Sequence, residues 1–243
     1  MRAVVLAAGS GKRLRNVFED PKCLIQVGGV SLFGRYMEGF SGAAIEDIVL
    51  VLGYGMEKVI KYIETLPPGP RIHIVENSDF DRGSILSLWA ARDWLEGDIL
   101  LMDGDLYFEK DFLGLPIRSK KPDFFVIDSG AINDGEAVMV GFRGQRAVAL
   151  KRGLKGDFDL CGEWAGCLRL SAEGTTHLRE IVCGEVAEGR IDEGYEFVVP
   201  RLFDFMDISF ELTGGLDWVE IDFPKDIEKA EKLCRSGREA GRP

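Results

Sequence analysis

The chain has 243 residues, of which 46% are hydrophobic and 29% are charged, and its formal net charge at pH 7 is −11. Such a chain can bury a large core, which excludes a disordered protein, and its acidic surplus argues against a nucleic-acid partner. No apolar run approaches the roughly 18 residues of a membrane span, and the five cysteines form no CxxC pair, which predicts reduced thiols in a cytoplasmic protein.

Short apolar segments alternate with amphipathic segments in the first part of the chain. Buried strands are predicted at 2–7, 47–52, 71–75 and 98–102. Helices are predicted between them, at 32–40, 57–65 and 84–96. This β-α-β-α-β-α-β order is typical of a parallel sheet with helices on its faces, and it indicates an α/β protein.

Beyond residue 105 the alternation becomes less regular. Strands of a more antiparallel region are predicted at 123–127, 137–142, 147–151, 164–170 and 218–221. Helices are predicted at 175–183 and 224–234, and the second starts with a proline, as first turns often do. No linker-like segment divides residues 1–235, which predicts one domain, and the Gly-, Arg- and Pro-rich segment 236–243 predicts a flexible tail.

The first strand leads into a loop rich in glycine and positive charge. Residues 6–14 read LAAGSGKRL, and residues 21–24 read PKCL. Backbone N–H groups of such a loop can approach phosphates closely. The loop is not a P-loop, because Arg13 stands where that motif requires Ser or Thr. It is not a dinucleotide-binding GxGxxG motif either, because Leu14 replaces the third glycine.

These two segments together resemble the motif LAAGxGxRL followed by PKxL in the nucleotidyltransferase superfamily that makes NDP-sugars and CDP-alcohols. The resemblance continues through Asp103-Gly104-Asp105 and Glu220-Ile221-Asp222. It implies a Rossmann-like, mostly parallel sheet wrapped by helices, with a more antiparallel second half. The nucleotidyltransferase domain would then comprise a nucleotide-binding half, 1–110, and an acceptor-binding half, 111–235.

Enzymes of this superfamily join a phosphorylated acceptor to the α-phosphorus of a nucleoside triphosphate and release pyrophosphate. The resemblance implies that Arg13 neutralises the leaving pyrophosphate and that Lys22 holds the α-phosphate or the attacking phosphate. It also implies Mg²⁺ as the cofactor, held by Asp105 and Asp222, because carboxylates are hard oxygen ligands. Asp103 is a further metal candidate.

Two acidic residues near these positions are expected to have structural roles. We interpret Glu220 as an outward-facing strand residue. We interpret Asp226 as a charge in the first turn of a helix, where the positive end of the helix dipole favours it.

The resemblance also implies the residues that surround the nucleotide. They are Leu6, Ala8, Gly9, Ser10, Gly11, Asn77, Gly83 and Ser84. Ser87-Leu88 is similar to the phosphocholine and 2-aminoethylphosphonate cytidylyltransferases, the group that the chain most resembles. Their pair of Asn residues is replaced here by Gly83-Ser84, which is closer to sugar-phosphate and inositol-phosphate relatives.

The candidate acceptor-binding residues lie in the second half of the chain. They are Glu136, Lys151, Glu163, Trp164, Tyr195 and Glu196. Trp164, Tyr195, Trp89 and Trp218 could form an aromatic cage for the quaternary ammonium of choline, with Glu196 as a counter-charge. Glu136 or Glu163 could instead hold a primary ammonium or sugar hydroxyls. Lys151 belongs to a basic cluster that could grip the acceptor phosphate.

The expected activity is transfer of CMP from CTP to phosphocholine, phosphoethanolamine or 2-aminoethylphosphonate. Two alternatives stay open. One is a sugar-1-phosphate or inositol-1-phosphate nucleotidyltransferase, and the other is a catalytically silent nucleotide sensor. Retention of Arg13, Lys22, Asp105 and Asp222 argues against the sensor, which would not need both cations and both carboxylates.

Overall fold

The structure is a computed structural model that describes residues 1–41, 45–133 and 135–239. Its strands are β1 Arg2–Ala7, β2 Gln26–Val27, β3 Val30–Ser31, β4 Asp47–Leu52, β5 Arg71–Glu76, β6 Ile99–Asp103, β7 Leu106–Phe108, β8 Phe124–Asp128, β9 Val138–Arg143, β10 Arg146–Arg152, β11 Leu160–Leu170, β12 Ser209–Leu212 and β13 Trp218–Glu220. Its α-helices are α1 Leu32–Ser41, α2 Met56–Ile63, α3 Ile85–Ala90, α4 Gly114–Arg118, α5 Ala172–Ala187 and α6 Pro224–Glu239. None of these helices is long and apolar enough to cross a membrane.

The first half of the chain forms the parallel part of the sheet, in the order β5-β4-β1-β6. The apolar residues of these four strands are buried against helices on both faces of the sheet, which explains the near-continuous hydrophobic runs of β1, β4 and β6. Strand β1 pairs with β6 so that Leu6 lies opposite Asp103. The loop after β1 and the Asp103–Asp105 segment therefore meet at one edge of the sheet.

The second half extends this sheet with antiparallel strands around the long strand β11. The end of β11 pairs with β6, and its beginning pairs with β9. Strand β8 pairs with β11 both before and after a register shift between Trp164 and Leu168. Gly166 lies at this shift with a φ of +61°. A Cβ there would stand 2.7 Å from Asp103 Oδ2, so the position favours glycine for two independent reasons.

A two-stranded ribbon of β7 and β13 joins the end of the chain to the middle. Glu220 pairs with Leu106, and the Ile221 N–H donates to the Asp105 carbonyl at 3.0 Å. Glu220 and Asp222 are thus held beside Asp105, although more than a hundred positions separate them along the chain.

The predicted α/β fold is confirmed, and the differences are local. The helix expected over 84–96 ends at Ala90, and a short 3-10 turn, Arg92–Trp94, follows it. That turn places the Trp94 ring 4.4 Å from the His73 ring. Helix α6 continues to Glu239, beyond its predicted end at 234. Of the tail predicted for 236–243, the last four residues lie outside the described ones.

Candidate active site

Two clefts open at the edge of the sheet where β1 and β6 end. The first, of about 300 Å³, is lined by the loop after β1, by Lys22, by residues 80–82 and by Asp105. The second, of about 590 Å³, lies between the segment after β8, the end of β10 and the start of α6. Asp222 lines both clefts. Two ligands could therefore meet at this side chain.

Lys22 lies at the junction of the two clefts. Its Nζ donates to Asp105 Oδ2 at 2.8 Å and to Asp222 Oδ1 at 2.5 Å. Burial alone would lower the pKa of Lys22, but the two carboxylates raise it well above its ordinary value. The Lys22 side chain is therefore a permanent cation at the junction.

Arg13 reaches the same carboxylate from the first cleft. Its Nη1 donates to Asp222 Oδ2 at 3.0 Å, and its guanidinium lies 4.9 Å from the Phe223 ring centroid. Partial burial would raise the pKa of Asp222, but the charges of Lys22, Arg13 and Arg152 hold it below its ordinary value. Asp222 is therefore ionised at neutral pH.

Three carboxylates could hold a metal ion. One oxygen each from Asp105, Glu220 and Asp222 lies within 4.8 Å of the others. Such oxygens are the ligands that Mg²⁺ prefers, and Mg²⁺ usually completes its shell with water and substrate phosphates. The donor set therefore fits the predicted cofactor. Glu220 is exposed, as expected for an outward-facing strand residue, but the pairing of β13 with β7 also brings it to Asp105, which the sequence did not predict.

Asp226 supports this group from the start of α6. Its Oδ2 accepts the N–H groups of Asp222 and Phe223, at 3.1 Å and 2.7 Å. The predicted role as a charge in the first helical turn is confirmed, and the side chain also orders the backbone that carries Asp222.

Asp103 is tied into the protein interior. Its Oδ1 accepts a hydrogen bond from the Tyr195 hydroxyl at 2.7 Å, and its carbonyl accepts one from the Tyr36 hydroxyl. Burial and the charge of Asp105 raise the pKa of Asp103 to about 8. In this structure Asp103 thus acts as an anchor for two tyrosines, and it is outside the three-carboxylate group.

The predicted nucleotide-binding residues of the first loop are close together. Leu6, Gly9, Ser10 and Gly11 line the first cleft together with Arg13 and Lys22. Gly11 has a φ of +58°, and a Cβ there would stand 3.1 Å from Lys22 Cγ. Ala8 is buried behind the cleft, where its carbonyl accepts the Tyr54 N–H.

The other three predicted nucleotide-binding residues support a loop and are not among the described residues lining the first cleft. Asn77 is buried and bonds to Ser87 Oγ and the Asp79 N–H. Ser84 Oγ accepts the Tyr195 N–H. Gly83 packs against the backbone of residues 192–193. Residues 80–82, which belong to the same segment but were not singled out from the sequence, line the cleft themselves.

The predicted acceptor-binding residues divide into two groups. Glu136 and Glu163 line the second cleft. Trp164 and Tyr195 are buried, with their rings 5.5 Å apart edge to face, and the Trp164 Nε1 donates to the Cys167 carbonyl. Trp164 and Tyr195 therefore do not face the second cleft, because the register of β11 turns Trp164 toward the core, whereas the cage candidate Trp218 lines that cleft.

The basic cluster at the end of β10 also differs from the expectation. Lys151 is exposed, and it is not among the described residues that line the second cleft. Its neighbour Arg152 lines that cleft instead. Glu196 does not line the cleft itself but pairs with Arg152 at 3.6 Å. Successive strand residues point to opposite faces, so only one of the two cations can face the cleft.

Comparison with known proteins identifies the family of the chain. Residues 3–128, just over half of the chain, match the family described as the MobA-like NTP transferase domain. The chain belongs to the MobA-like NTP transferase family. The resemblance to nucleotidyltransferases that the LAAGSGKRL and PKCL segments carry is confirmed.

Relatives of this MobA-like domain include proteins with a second part. The bifunctional IPC transferase and DIPP synthase of Rubrobacter xylanophilus is 28% identical over 240 residues, and that of Aquifex aeolicus is 26% identical over 235. Each match covers 95% of this chain and 51% of the relative, so the chain spans about half their length. The CMP-5'-(3-aminopropyl)phosphonate synthase of Streptomyces rubellomurinus is 35% identical over 111 residues, 45% of this chain and 18% of that protein.

Solved structures with the same fold cover nearly the whole chain. The inositol-1-phosphate CTP transferase of T. maritima superimposes with a TM-score of 0.76 at 22% identity, covering 98% of this chain and 96% of its own. The CTP:phosphocholine cytidylyltransferase of Streptococcus pneumoniae gives 0.77 at 23%, covering 96% and 98%. At this identity the likeness concerns the fold.

Proposed function

We propose that this protein is a Mg²⁺-dependent nucleotidyltransferase that transfers CMP from CTP to a small phosphorylated acceptor and releases pyrophosphate. The observation that carries the proposal is the meeting of two clefts at Asp222, beside Lys22 and Arg13. A transfer between two anionic substrates requires such a junction, with cations on the reacting phosphates.

The residues of the junction have different roles in the reaction. An oxygen of the acceptor forms a bond to the α-phosphorus, the bond from that phosphorus to the β-phosphate oxygen breaks, and pyrophosphate leaves with the electron pair. Lys22 holds the α-phosphate, and Arg13 neutralises the leaving group. Asp105, Glu220 and Asp222 hold Mg²⁺, which when bound supplies further positive charge to the phosphates. No covalent intermediate on the protein is required.

The choice of CTP rests on the relatives. Both structures described above act on CTP by their names, and the phosphonate relative makes a CMP conjugate. Residues 80–82 line the first cleft, and we assign them to contact with the base and ribose.

The second cleft favours an acceptor that carries an ammonium group or hydroxyl groups. Glu136 and Glu163 bring carboxylates to its wall and Trp218 brings an aromatic ring, whereas the rings of Trp164 and Tyr195 lie in the core. A primary ammonium can be hydrogen-bonded by carboxylates, but a quaternary ammonium has no N–H to donate and is usually held over aromatic faces. The lining of the second cleft therefore fits phosphoethanolamine, 2-aminoethylphosphonate and phosphocholine.

Inositol 1-phosphate is the second candidate acceptor. The IPC transferase relatives match 95% of this chain, and Gly83-Ser84 follows the pattern of the inositol-phosphate branch. Carboxylates at Glu136 and Glu163 would accept hydrogen bonds from the hydroxyls of such a ring.

The test is release of pyrophosphate in the presence of Mg²⁺, with CTP, UTP, GTP and ATP each crossed with a panel of acceptors. The panel contains phosphoethanolamine, 2-aminoethylphosphonate, phosphocholine, inositol 1-phosphate and hexose 1-phosphates. We expect release with CTP and an amino or polyol acceptor. Release only with hexose 1-phosphates would identify the protein as a sugar-1-phosphate nucleotidyltransferase. Nucleotide binding without release from any pair would favour a nucleotide sensor.

A further inference from the structure

Arg152, the last residue of β10, lies in the wall of the second cleft and is held there from two sides. Its Nη1 donates to the Glu136 carbonyl at 2.6 Å, and its Nη2 lies 3.6 Å from Glu196 Oε1. Its side chain is 44% exposed, whereas that of Glu196 is 18% exposed. A guanidinium has five N–H donors in a planar fork, so Arg152 keeps donors for a ligand in the cleft.

Glu196 stands on a rigid part of the chain. The preceding residue, Tyr195, is buried; its N–H donates to Ser84 Oγ at 2.9 Å and its hydroxyl to Asp103 at 2.7 Å. A carboxylate next to such an anchored residue can orient the guanidinium that it pairs with.

The cations at the junction are divided between the two clefts. Lys22 and Arg13 line the first, and Arg152 lines the second together with Lys225 and Lys229. Asp222, the residue at which the clefts meet, lines the second cleft together with Arg152. The Lys225 ammonium lies 5.2 Å from the Phe223 ring centroid.

We propose that Arg152 binds the phosphate or phosphonate group of the acceptor and that Glu196 is a positioning residue for the Arg152 guanidinium. This inference rests on the proposed function, in which the second cleft holds the acceptor. The attacking oxygen and the α-phosphate both carry negative charge, so a cation on the acceptor side reduces their repulsion during approach. The planar guanidinium can also donate to two oxygens of one phosphate and so orient the third oxygen for attack.

The first test is direct binding, which needs no turnover. Inositol 1-phosphate, phosphoethanolamine, 2-aminoethylphosphonate and phosphocholine are titrated calorimetrically into protein with Mg²⁺ and α,β-methylene-CTP, which cannot release pyrophosphate. For the acceptor that the wild type binds, Arg152→Gln should raise Kd by about 10- to 100-fold, the range expected for a charged hydrogen-bonded pair. The acceptor Kd of Arg152→Lys should lie between those of the wild type and Arg152→Gln. The Kd for the nucleotide analogue should stay within about twofold of the wild-type value.

The matched control is Arg146→Gln, at the other end of the same strand. Arg146 pairs with the exposed Asp207 at 3.0 Å and is itself 53% exposed. The Arg146→Gln variant should bind the acceptor with the affinity of the wild type. An Arg152→Gln variant with wild-type acceptor affinity, or one that loses nucleotide and acceptor affinity equally, would overturn the assignment. Failure of the wild type to bind any of the four acceptors would overturn it as well.

Glu196 is tested by a double-mutant cycle. If Glu196 acts through Arg152, Glu196→Ala should weaken acceptor binding, and it should cause no further loss when Arg152 is already Gln. Additive losses would mean that Glu196 acts independently of Arg152. Pyrophosphate release is then measured separately. If acceptor binding depends on Arg152 but no pyrophosphate is released, the proposed transfer is refuted and the assignment of Arg152 as a phosphate-binding residue remains supported.

Discussion

Lys22 Nζ lies 2.5 Å from Asp222 Oδ1, although 200 positions separate the two residues. The contact joins the PKCL segment near the start of the chain to the loop between β13 and α6 near its end. The same ammonium contacts Asp105, so it occupies two of the three carboxylates that could hold a metal ion. In the protein without substrates, we therefore expect Lys22 and Mg²⁺ to compete for the same carboxylates.

Replacing Lys22 should reveal this competition. We expect Lys22→Met to bind Mn²⁺ about tenfold more tightly than the wild type when no nucleotide is present, because a repelling charge is removed. Electron paramagnetic resonance of free Mn²⁺ measures the affinity. Lys58→Met is the control, since Lys58 pairs with Asp20 on the surface. Weaker Mn²⁺ binding in Lys22→Met would show that the ammonium supports the carboxylate group instead of competing for it.

Removing a carboxylate should affect turnover far more than folding. Asp105→Asn should lower the rate of pyrophosphate release by about 10²- to 10³-fold, as loss of one preorganised electrostatic group does. Its melting temperature should remain near that of the wild type, because Asp105 lies at the sheet edge and outside the core. Asp207→Asn, in an exposed ion pair, is the control. A near-normal rate at ordinary Mg²⁺ concentrations would remove Asp105 from the metal site.

Two glycine-to-alanine substitutions should change the free energy of unfolding in opposite directions. A Cβ at Gly83 would press into the Glu193 carbonyl, so Gly83→Ala should destabilise the protein by about 1–3 kcal/mol. Gly184, in α5, has nothing within 4 Å of the added carbon. Gly184→Ala should therefore stabilise the protein by about 0.5–1 kcal/mol. Urea unfolding measures both, and equal effects would contradict the packing of the Gly83 loop against residues 192–193.

Glu185 should contribute stability that depends on pH. Its hydrogen bond from Arg190 lowers its pKa against the opposing effect of burial, and the charge of Arg201, 2.9 Å away, acts in the same direction. A lowered pKa in the folded state stabilises the protein above the unfolded pKa of about 4.3 and ceases to do so as pH falls through the folded value. Both arginines are half-exposed, so Glu185→Gln should cost about 1–2 kcal/mol at pH 7.

The check on Glu185 is urea unfolding of the variant and the wild type at pH 7, 5 and 3.5. The difference should persist at pH 5 and shrink at pH 3.5. Glu188→Gln is the control, because Glu188 contacts the same Arg190 but is 64% exposed, and it should change stability by less than about 0.5 kcal/mol. A difference that is constant with pH would show that the Glu185 charge does not contribute.

Local patterns predicted the parallel half of the fold well. Strands β1 and β4 have the predicted bounds to the residue, because β-branched runs ended by Gly or polar residues determine a buried strand within a short window. The antiparallel half was less accurate. Strand β11 begins at Leu160, ahead of the predicted 164, and β12 was missed, since pairing with distant strands stabilises both.

The sequence by itself determined the family, because the LAAGSGKRL and PKCL segments carry its motif, and that resemblance named Arg13, Lys22, Asp105 and Asp222 as candidate site residues. Only the tertiary structure decided which neighbours join them. The β13–β7 pairing brings Glu220 to Asp105. A register shift between Ala147 and Ala149 precedes the end of β10, where Arg152 lines the second cleft in place of Lys151. The direction of a strand side chain depends on register, and register is determined by partners far away in the chain.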